Sequence, residues 1–506
     1  MDKILKEQKR HLREEKELSR LLKEQSAPTP KYYFIYLIMI LTLVYIIDEV
    51  ITNLHSNLIT EISYNLGVKV STFNLVDALS ILMLVTCVFY KPLADRFGRR
   101  AFLFINTIAM GGAIAICALA FKNAPWIYFI GYFLMRFFVT PDVQVIYIIE
   151  TAPEKKRATI NALVKGVAEF GLILIPLLRT WIIGGNLFGT ASEEELASMN
   201  VGNWRWVFLI AAIIAFVISF LALFFAKETK PYLDSRINYL KQSDEEREAN
   251  KKKDASDAQG GLIKALIHIV KNKQLLFIVL VTFIYTLARV VTNNYALFLS
   301  WSTQTNYLIA NGISEANRAT AVNLASNVLT QATFFLPISC GVITLAYGFV
   351  SDKIGRKMTC IILLAICAIT FGLYVGGSLY NWPIWLMGLL VGLFLGAFWN
   401  TGDTLILMCG ESSPTNLRAS IISAQSAFYG AGMGISSLLG GLLLGPIENG
   451  FNGETEVANL SSYPIQLVTR MAIVGLSAMV ISLVLLMIFV EETKNYTIGT
   501  EQTIEE

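Results

Sequence analysis

Charged residues are scarce in this sequence: they make up 16% of its 506 residues, whereas a soluble protein carries about a quarter. Hydrophobic residues reach 54%, and the mean hydropathy is +0.55. This composition excludes an ordinary soluble domain and predicts a protein with many membrane spans. The net charge of +3 is too small to indicate nucleic-acid binding, so we expect no nucleic-acid partner.

Cysteine and histidine are also few, with six and three residues. The cysteines fall inside or at the edges of apolar runs, and none forms a CxxC pair or a Cys/His cluster. This pattern supports neither a disulfide framework nor a zinc site. We find no phosphate-binding loop or nucleophile motif with supporting context, and we therefore expect no cofactor and no enzyme activity. Residues 1–31 are hydrophilic, which predicts insertion through the first span rather than a cleaved signal peptide.

Twelve apolar runs are long enough to cross a bilayer, which takes about 20 residues. They lie near 33–57, 73–90, 101–121, 126–149, 159–184, 205–226, 275–300, 320–347, 358–379, 383–409, 416–443 and 466–490. Lys and Arg concentrate in the N-terminal tail and in alternate loops, so the positive-inside rule places both termini in the cytoplasm. The sequence therefore predicts an all-α, multi-pass protein of a cell (plasma or inner) membrane.

The spans fall into two sets of six, with polar segments before, between and after them. We expect a cytoplasmic tail with a charged helix at 1–32, a six-helix bundle at 33–226, a cytoplasmic linker at 227–274, a second bundle at 275–490 and a cytoplasmic tail at 491–506. The charged helix, at residues 2–25, has a thin apolar stripe. It fits a solvated or membrane-surface helix, or a coiled-coil partner helix.

Three short patterns occur once in each half. KPLADRFGRR at 91–100 corresponds to GFVSDKIGRK at 348–357; E-x-x-P-x-x-x-R begins at Glu150 and at Glu411; E-T-K begins at Glu228 and at Glu492. The offsets are 257, 261 and 264 residues, and this near-constant spacing indicates a duplicated six-helix unit. The first pattern, polar and cationic, cannot lie in hydrocarbon, so it predicts a tight cytoplasmic turn between two spans.

This turn resembles the loop signature of the major facilitator superfamily, G-x-x-x-D-[RK]-x-G-[RK]-[RK], which follows helices 2 and 8. The second copy fits every defined position, and the first has Lys91 in place of Gly. The other two patterns look like the sugar-porter and organic-ion branches. The resemblance covers about residues 33–500 and implies twelve transmembrane helices in two pseudo-symmetric six-helix bundles, with a site at the midplane and rocking-type alternating access.

The resemblance also implies cytoplasmic charge networks that latch an outward-facing state. The residues expected in these gating networks lie at cytoplasmic helix ends. They are Asp95, Gly98, Arg99, Glu150, Arg157, Gly348, Asp352, Gly355, Arg356, Glu411 and Arg418.

Ionisable side chains inside predicted spans mark further candidates, because a charge at the bilayer centre costs at least about 2.5–3.5 kcal/mol. Helices 4 and 5 are antiparallel, and their numbering puts Arg136 opposite Glu169 and Asp142 opposite Lys165. Lys165 and Glu169 can also pair along helix 5. Two interpretations stay open: a structural ladder of ion pairs, or a network that faces a cavity and binds substrate or protons.

The resemblance sharpens the interpretation of Lys165. In sugar porters a Gln that binds sugar hydroxyls lies eight residues after the Arg that opens helix 5, and here Lys165 lies eight residues after Arg157. A cation in place of this amide suggests a substrate with a carboxylate or other anionic group, or a helix 4 partner that neutralises the lysine. Helix 4 departs from the sugar-porter pattern, because Pro141 should kink it.

Helices 1 and 7, which line the pathway in the superfamily, carry an acid and a base at similar depths. Asp48 and Arg289 could form an external gate, or clamp an acid or zwitterion from both sides. Asp48 is also our candidate proton carrier, whereas His55 is expected to be an ordinary residue of the membrane interface. Neighbouring candidates on the two helices are Glu49, Asn53 and Asn293.

Polar and aromatic residues of later spans complete the set of candidates. They are Gln331 in helix 8, Trp399 and Asn400 in helix 10, and Gln425 and Tyr429 in helix 11. Each could line a cavity or hold neighbouring helices together. Asp403, toward the cytoplasmic end of helix 10, favours a gate or a packing charge.

The sequence thus predicts a secondary active transporter that works as a monomer and moves a small polar organic solute, with an acidic group or a sugar. Proton-coupled symport is the favoured mode. A proton-coupled efflux antiporter for drugs or metabolites is the alternative, although helix 5 lacks the G-P pair usual in drug exporters of the superfamily. A transport-like solute sensor is a further alternative.

Overall fold

A computed structural model of the chain describes residues 2–26, 32–79, 90, 97–139, 143–152, 157–189, 191–243, 245–247, 263–414 and 417–493. Over these ranges the secondary structure is helical, without a β-strand. The core is one continuous set of buried apolar side chains that runs through both halves of the sequence.

Ten helical stretches of the described residues are long and apolar enough to cross a membrane. They are Tyr33–Asn57, Arg99–Ala118, Ile160–Ile182, Val201–Phe225, Lys273–Asn311, Glu315–Ile354, Arg356–Leu379, Ile384–Glu411, Ser420–Gly453 and Val457–Phe489. The two other predicted spans, 73–90 and 126–149, are described in part, the second through the shorter apolar helix Trp126–Val139. The prediction of a membrane protein built from helices is confirmed, and a count of twelve spans fits what is described.

In the first half of the membrane portion, residues 33–226, the described residues form a series of α-helices. They are α2 (Tyr33–Asn57), α3 (Ile59–Leu66), α4 (Val70–Ala78), α5 (Arg99–Ala118), α6 (Trp126–Val139), α7 (Val143–Thr151), α8 (Arg157–Phe170), α9 (Leu174–Ile182), α10 (Glu193–Ser198) and α11 (Trp204–Phe225). A 3₁₀ turn at Gly171–Ile173 joins α8 to α9, so that together they form one span.

The second half begins after the linker and contains the longest helices. They are α14 (Lys273–Thr286), α15 (Arg289–Thr292), α16 (Tyr295–Asn311), α17 (Glu315–Ile354), α18 (Arg356–Leu379), α19 (Ile384–Glu411), α20 (Arg418–Gly453), α21 (Val457–Leu460), α22 (Ser462–Leu467) and α23 (Ile473–Phe489). A π-helical turn at Val468–Ala472 connects the last two. The limits of the predicted domains stay predictions.

Outside the two halves, the described residues include the helices α1 (Asp2–Ser26), α12 (Lys230–Lys241) and α13 (263–271). The predicted charged helix is therefore present, and α1 packs on α12 of the linker. Leu21 is buried there, and Arg236 binds Glu17 at 2.8 Å. We call the end of the molecule beside α1 and α12 the tail side, and the opposite end the far side.

Helices α17 and α19 approach closely because α19 presents glycines to its neighbour. A Cβ atom added at Gly388 would overlap the carbonyl oxygen of Ala332, and one at Gly392 would overlap that of Leu336. Small residues of this kind allow the backbones of two membrane helices to touch. This contact holds α19, which carries several candidate site residues, in a fixed position.

We predict that Gly392→Ala destabilises the protein by about 1–3 kcal/mol, because the added methyl group forces α17 and α19 apart. Thermal unfolding of the purified protein in detergent would measure the loss. Gly372→Ala on α18 is the matched control, because no atom lies within 4 Å of a Cβ atom at that position. Equal melting temperatures for the two variants would contradict the close contact between α17 and α19.

Candidate functional site

The seventh predicted span is interrupted between residues 287 and 294. Helix α14 ends at Thr286, α15 is a single turn that begins at Arg289, and α16 starts at Tyr295. The side-chain amide of Asn294 donates to the Val290 carbonyl at 2.8 Å and so satisfies part of the broken backbone. Irregular backbone at membrane depth occurs where it is buried in protein or lines a cavity. The interruption therefore marks this region as a candidate site.

Asp77, at the end of α4, is the centre of a polar cluster and is 3% exposed. From the first half it accepts hydrogen bonds from Tyr132 at 2.9 Å and from Arg136 at 3.2 Å, both on α6. From the second half it accepts bonds from Asn293 at 3.2 Å and from Ser437 at 2.7 Å. One buried carboxylate thus joins both halves of the molecule.

A narrow polar cavity lies beside Asp77. Its lining comes from both halves: His55, Ser56, Ile59, Val70, Asn74, Asp77, Tyr132, Arg136, Asn293 and Asn294. His55 bonds the Tyr128 hydroxyl at 2.7 Å, and its ring packs against Tyr132 with the centroids 4.5 Å apart. His55, expected to be an ordinary residue of the membrane interface, is half-buried, lines this cavity and packs against aromatic rings.

Glu448 fastens the second half to the start of α4. Its carboxylate accepts bonds from the backbone amides of Val70 at 2.7 Å and Ser71 at 3.0 Å, and from the Ser71 hydroxyl at 2.8 Å. Free amides and the positive end of a helix stabilise an anion at such a position. This buried carboxylate therefore holds α20 against α4 on the far side.

A second contact on the far side joins Glu61, Arg179 and Ser326. Glu61 and Arg179 form an ion pair and are both 0% exposed, and the Ser326 hydroxyl of α17 donates to Glu61 at 2.5 Å. Breaking a buried pair by removing one partner costs about 3–5 kcal/mol. Tyr295 adds a bond to Asn57 at 3.1 Å. The first half is thus tied to α16 and α17.

Gln331 also belongs to the far side. Its amide donates to the carbonyls of Asn186, at 2.9 Å, and Gly189, at 2.5 Å, in the loop after α9. Its amide nitrogen therefore holds neighbouring segments together, which is one of the two roles that the sequence left open. The sequence could not predict this contact, because the partner of Gln331 is the backbone of a loop.

Lys165 and Asp403 form an ion pair between the halves near the middle of the molecule. Each lies eight residues from the tail-side end of its helix, about 12 Å at 1.5 Å per residue. Glu169, one turn beyond Lys165, is 4% exposed and accepts a bond from the Cys340 thiol at 3.3 Å. This layer combines two acids and a base at the boundary of the halves.

Of the ion pairs expected between helices 4 and 5, the one between Arg136 and Glu169 is wrong. Arg136 bonds Asp77, and Glu169 bonds Cys340, so these two residues do not pair with each other. Asp142 lies outside the described residues, and its expected partner Lys165 bonds Asp403. Matching depth along two antiparallel helices does not determine which faces meet.

Asp48 and Arg289 do not form the expected gate. Asp48 is 7% exposed and accepts a bond from Gln144 at 2.5 Å, within the first half. The side chain of Asn53 donates to the carbonyl of Glu49 at 2.9 Å along α2. The acid on α2 and the base on α15 are therefore separate features.

The remaining candidates lie on the helices of the second half. The Arg289 guanidinium lies 5.9 Å from the centroid of the Trp399 ring. Asn400 is fully buried and donates to Thr344 of α17 at 3.0 Å. Gln425 donates to Thr282 at 3.0 Å, and Tyr429 lies one turn farther along α20.

The tail-side turns are held within each half. Arg99 binds Glu150 at 2.8 Å, and Thr229 donates to the same carboxylate at 2.6 Å. Glu228 accepts bonds from the first amides of α5, with Arg99 at 2.9 Å and Arg100 at 3.2 Å. Burial raises the pKa of Glu228, although these amides act to lower it. Gly98, with a φ of +98°, provides the turn before α5.

The second half repeats this arrangement. Arg356 binds Glu411 at 3.2 Å and Asp352 at 2.7 Å, and Thr493 donates to Glu411 at 2.6 Å. Glu492 accepts from the first amide of α18 at 2.7 Å. Gly355, with a φ of +100°, forms the turn. The duplicated patterns therefore form the same set of contacts in each half, and we call this set the repeated lock.

These networks correct the expected latch. Arg418 donates to the Gly410 carbonyl at 2.9 Å and so caps α19, instead of pairing with Glu411. Gly348 faces Ala162 across the halves, without a charge. Asp95 and the side chain of Arg157 lie outside the described residues. Between described residues, the tail-side ion pairs of these turns lie within one half, apart from Arg100, which binds Glu24 of α1 at 3.5 Å.

Polar contacts between the halves have an uneven distribution. Between described residues they lie on the far side and in the middle, and the pairs nearest the tail side are Lys165 with Asp403 and Cys340 with Glu169. The far side is therefore closed.

A sequence model of the Major Facilitator Superfamily matches residues 38–316, which is more than half of the chain. The chain belongs to this superfamily. Its members are transporters that bind small molecules in a bilayer, and this protein is a multi-pass transporter with the major facilitator fold. The resemblance drawn from the repeated turns is thus confirmed. No curated protein sequence matches the chain.

Solved structures share this fold at low sequence identity. The D-xylose–proton symporter has a TM-score of 0.60 and 16% identity, with 91% of this chain and 99% of that chain covered. The xylose transporter XylE from E. coli, in an inward open conformation, has a TM-score of 0.59 and 16% identity, with 92% of this chain and 98% of that chain covered. A mutant of the nucleoside transporter NupG has a TM-score of 0.58 and 12% identity, with 88% of this chain and 99% of that chain covered.

Four charged residues that hold this major facilitator protein together escaped the sequence prediction: Asp77, Glu61, Arg179 and Glu448. Asp77 and Arg179 lie inside the predicted spans 73–90 and 159–184. The rule that ionisable residues in spans are functional candidates finds both when it is applied to every span. Glu61 and Glu448 lie in predicted loops, where a carboxylate is ordinary, and no signal in the sequence marks them.

We predict that Glu448→Ala opens the far side. Hydrogen bonds to a charged group are worth about 1.5–3 kcal/mol, so the loss should raise the open population about tenfold or more. The measurement is the rate at which a membrane-impermeant thiol reagent labels Ser300→Cys, with the native cysteines replaced by alanine. Ser300 is fully buried and bonds Thr60 across the halves at 3.2 Å.

Glu454→Ala is the control for this experiment. Glu454 lies just beyond α20, and its carboxylate accepts bonds from Thr455 and Glu456 of its own half, both at 2.9 Å. It should leave the labelling rate unchanged. If Ser300→Cys is labelled at the wild-type rate in both variants, the conclusion that Glu448 holds the far side closed is wrong.

Proposed function

We propose that the protein is a proton-coupled symporter that imports a small polar organic solute with an acidic group by alternating access. The proposal places the tail side, with both termini, in the cytoplasm of a plasma or inner membrane. The observation that carries it is the ion pair of Lys165 with Asp403 across the halves. The protein would work as a monomer, since each chain contributes both halves of the site.

An ion pair between the halves can couple a solute to a proton. When a solute carboxylate binds Lys165, Asp403 loses its cation. The bound carboxylate and Asp403 then place two negative charges beside one cation, and repulsion between like charges favours the uptake of a proton with the solute. Binding of one anion would therefore be accompanied by uptake of one proton, and the charge of the site would be preserved. Symport follows from this balance.

The exposure of the two partners supports this exchange. The Asp403 side chain is 39% exposed and that of Lys165 is 15% exposed, so both can be reached. Glu169 is buried one turn away and interacts electrostatically with both. In our proposal it is the second place for the proton. Asp48 stays a candidate for proton transfer, because it is buried on α2 within the same half.

The names of structural neighbours support the transport of polar solutes, in two cases together with protons. They include a D-xylose–proton symporter, the nucleoside transporter NupG and proton dependent oligopeptide transporters. Their low identity to this chain leaves its substrate open, and a neutral sugar is the second candidate because the xylose symporters are among these neighbours.

The test is uptake into proteoliposomes of radiolabelled sugars, organic acids and amino acids, with and without an inward proton gradient. We expect the wild type to accumulate an acid only with the gradient. Lys165→Gln should reduce this uptake at least tenfold, because the carboxylate loses its cation. Asp403→Asn should retain exchange of the solute but lose gradient-driven accumulation, because an amide carries no titratable proton.

Glu315→Gln is the matched control, since Glu315 is an exposed residue in the first turn of α17. Gradient-driven uptake of a neutral sugar that survives Lys165→Gln would contradict the acidic substrate. Proton-driven expulsion of solute from loaded vesicles would instead favour the efflux antiporter. Binding without any flux would favour a sensor.

A further inference from the structure

Helix α13 (263–271), which directly precedes the second half, leaves four large apolar side chains uncovered. They are Ile263, Leu266, Ile267 and Val270, with exposed fractions of 63%, 39%, 51% and 68%. Their spacing of i, i+3, i+4 and i+7 places them on one stripe of the helix, which we call the apolar stripe of α13. Exposed apolar side chains that lie together in this way mark a surface that meets a membrane or another protein.

Another face of α13 fixes the helix to the rest of the protein. Ala265 and Ile269 are 0% and 2% exposed and belong to the buried core. The main-chain amide of Asn272 donates to the His268 carbonyl at 2.9 Å. The side chain of Asn272 then caps α14 by accepting from the amide of Leu275 at 3.1 Å. The apolar stripe is therefore held in a defined position at the start of α14.

The start of α14 lies at the tail-side border of the membrane portion. The Phe277 ring stacks on Phe489, the last residue of the last span, with the centroids 4.2 Å apart. Leu276 and Leu280 begin the exposed apolar surface of this span, which faces lipid. Asn272 has an extended backbone, with a φ of −96° and a ψ of 108°, so α13 does not continue the axis of α14. The apolar stripe ends six residues before Leu276 and thus lies next to this border.

The charge of α13 indicates the kind of lipid that it fits. Lys264 and Lys271 are exposed and lie about 100° around the helix from the middle of the apolar stripe. None of the ion pairs between described residues includes either lysine. The sequence has no acidic residue between Asp257 and Glu315. A helix with an apolar stripe flanked by lysines lies in the plane of a membrane surface, and anionic headgroups attract its lysines.

The other linker helix, α12, has its apolar face covered within the chain. Tyr232, Leu233 and Ile237 of α12 are buried against Leu21 of α1. In the part of the chain that the structure describes, no side chain covers the apolar stripe of α13 in this way. A second copy of the protein would cover the stripe, but it would give no reason for the two lysines beside it. The bilayer accounts for both features.

We propose that α13 is a binding site for anionic phospholipids of the tail-side leaflet. Their acyl chains cover the apolar stripe, and their phosphate groups bind Lys264 and Lys271. Because α13 leads directly into α14, lipids that hold α13 also fix the tail-side end of the interrupted seventh span. This inference goes beyond the proposed function and does not depend on it.

The first test measures where the apolar stripe lies. A fluorescent label is attached to single cysteines of the full-length protein, with the native cysteines replaced by alanine, in vesicles of phosphatidylcholine and phosphatidylglycerol. Bromine on the acyl chains should quench the label at Val270→Cys at least half as strongly as at Leu280→Cys, a lipid-facing reference. Iodide in the water should quench the label at Lys241→Cys, an exposed residue of α12, but not at Val270→Cys.

The second test measures the preference for anionic lipid. The melting temperature of the full-length protein in detergent is titrated with phosphatidylglycerol or with phosphatidylcholine of the same acyl chains, which gives an apparent Kd for each. Phosphatidylglycerol should bind at least tenfold more tightly. Lys264→Gln combined with Lys271→Gln should remove this preference, because each lysine near an anionic surface contributes about fivefold. Lys230→Gln combined with Lys241→Gln, which removes two exposed lysines of α12, is the matched control and should preserve it.

Ile267→Asn combined with Val270→Asn should weaken both lipids alike, because it removes apolar contact without changing the charge. Equal binding of the two lipids by the wild type, or an equal loss in the α12 control, would overturn the anionic-lipid site. Quenching by iodide at Val270→Cys as strong as at Lys241→Cys would overturn the contact with the membrane. Protection from iodide without quenching by bromine would assign the stripe to another protein surface and would also overturn the proposal. Neither test requires transport, so its failure leaves this inference unchanged.

Discussion

Asp77 is the charge on which the closed far side depends. A buried carboxylate must keep cations and donors around it, because water cannot reach it to solvate the charge. Its partners come from both halves, so the positions of α6, the interrupted seventh span and α20 are all set by one side chain. When the halves separate, Arg136 and Tyr132 can stay with Asp77, and only the neutral donors are lost. The charge therefore stays compensated during the motion.

The contacts within the halves differ in kind from most of those between them, with the exception of Glu448, which accepts from the first amides of α4 across the boundary. Within each half a carboxylate accepts from the first amides of a helix, and an arginine binds a glutamate beside it. Between the halves, most contacts of described residues are single hydrogen bonds or one ion pair. Each half is thus more firmly held than the boundary, which suits a motion of two bodies against each other.

The fold could be predicted from the sequence because its signals are local. A span needs only length and apolarity, and the turn at 348–357 needs only its own residues. The pairing of charges could not be predicted in the same way. Counting residues along a helix gives the depth of Arg136 in the membrane. Whether Arg136 pairs with Asp77 or with Glu169 depends on which helix faces turn toward each other.

The site was predicted in part for the same reason. The sequence marks Arg289, Trp399 and Tyr429 as candidates because they are polar or aromatic within spans. In the structure these three residues lie together. The partner of Lys165 is Asp403, 238 residues away, and no periodicity in the sequence links these two positions. That no described acid pairs with Arg289 is a property of the packed bundle, and it becomes visible only when the other pairings are known.

The repeated lock at the tail side has a consequence for how the protein is made. Glu228 closes the first half, and Glu492 closes the second, each by binding the start of a helix made more than 120 residues earlier. On the ribosome, each half therefore remains open at this end until its last residues emerge. The order of synthesis sets the order of assembly, and the first half can be complete before the second has been translated.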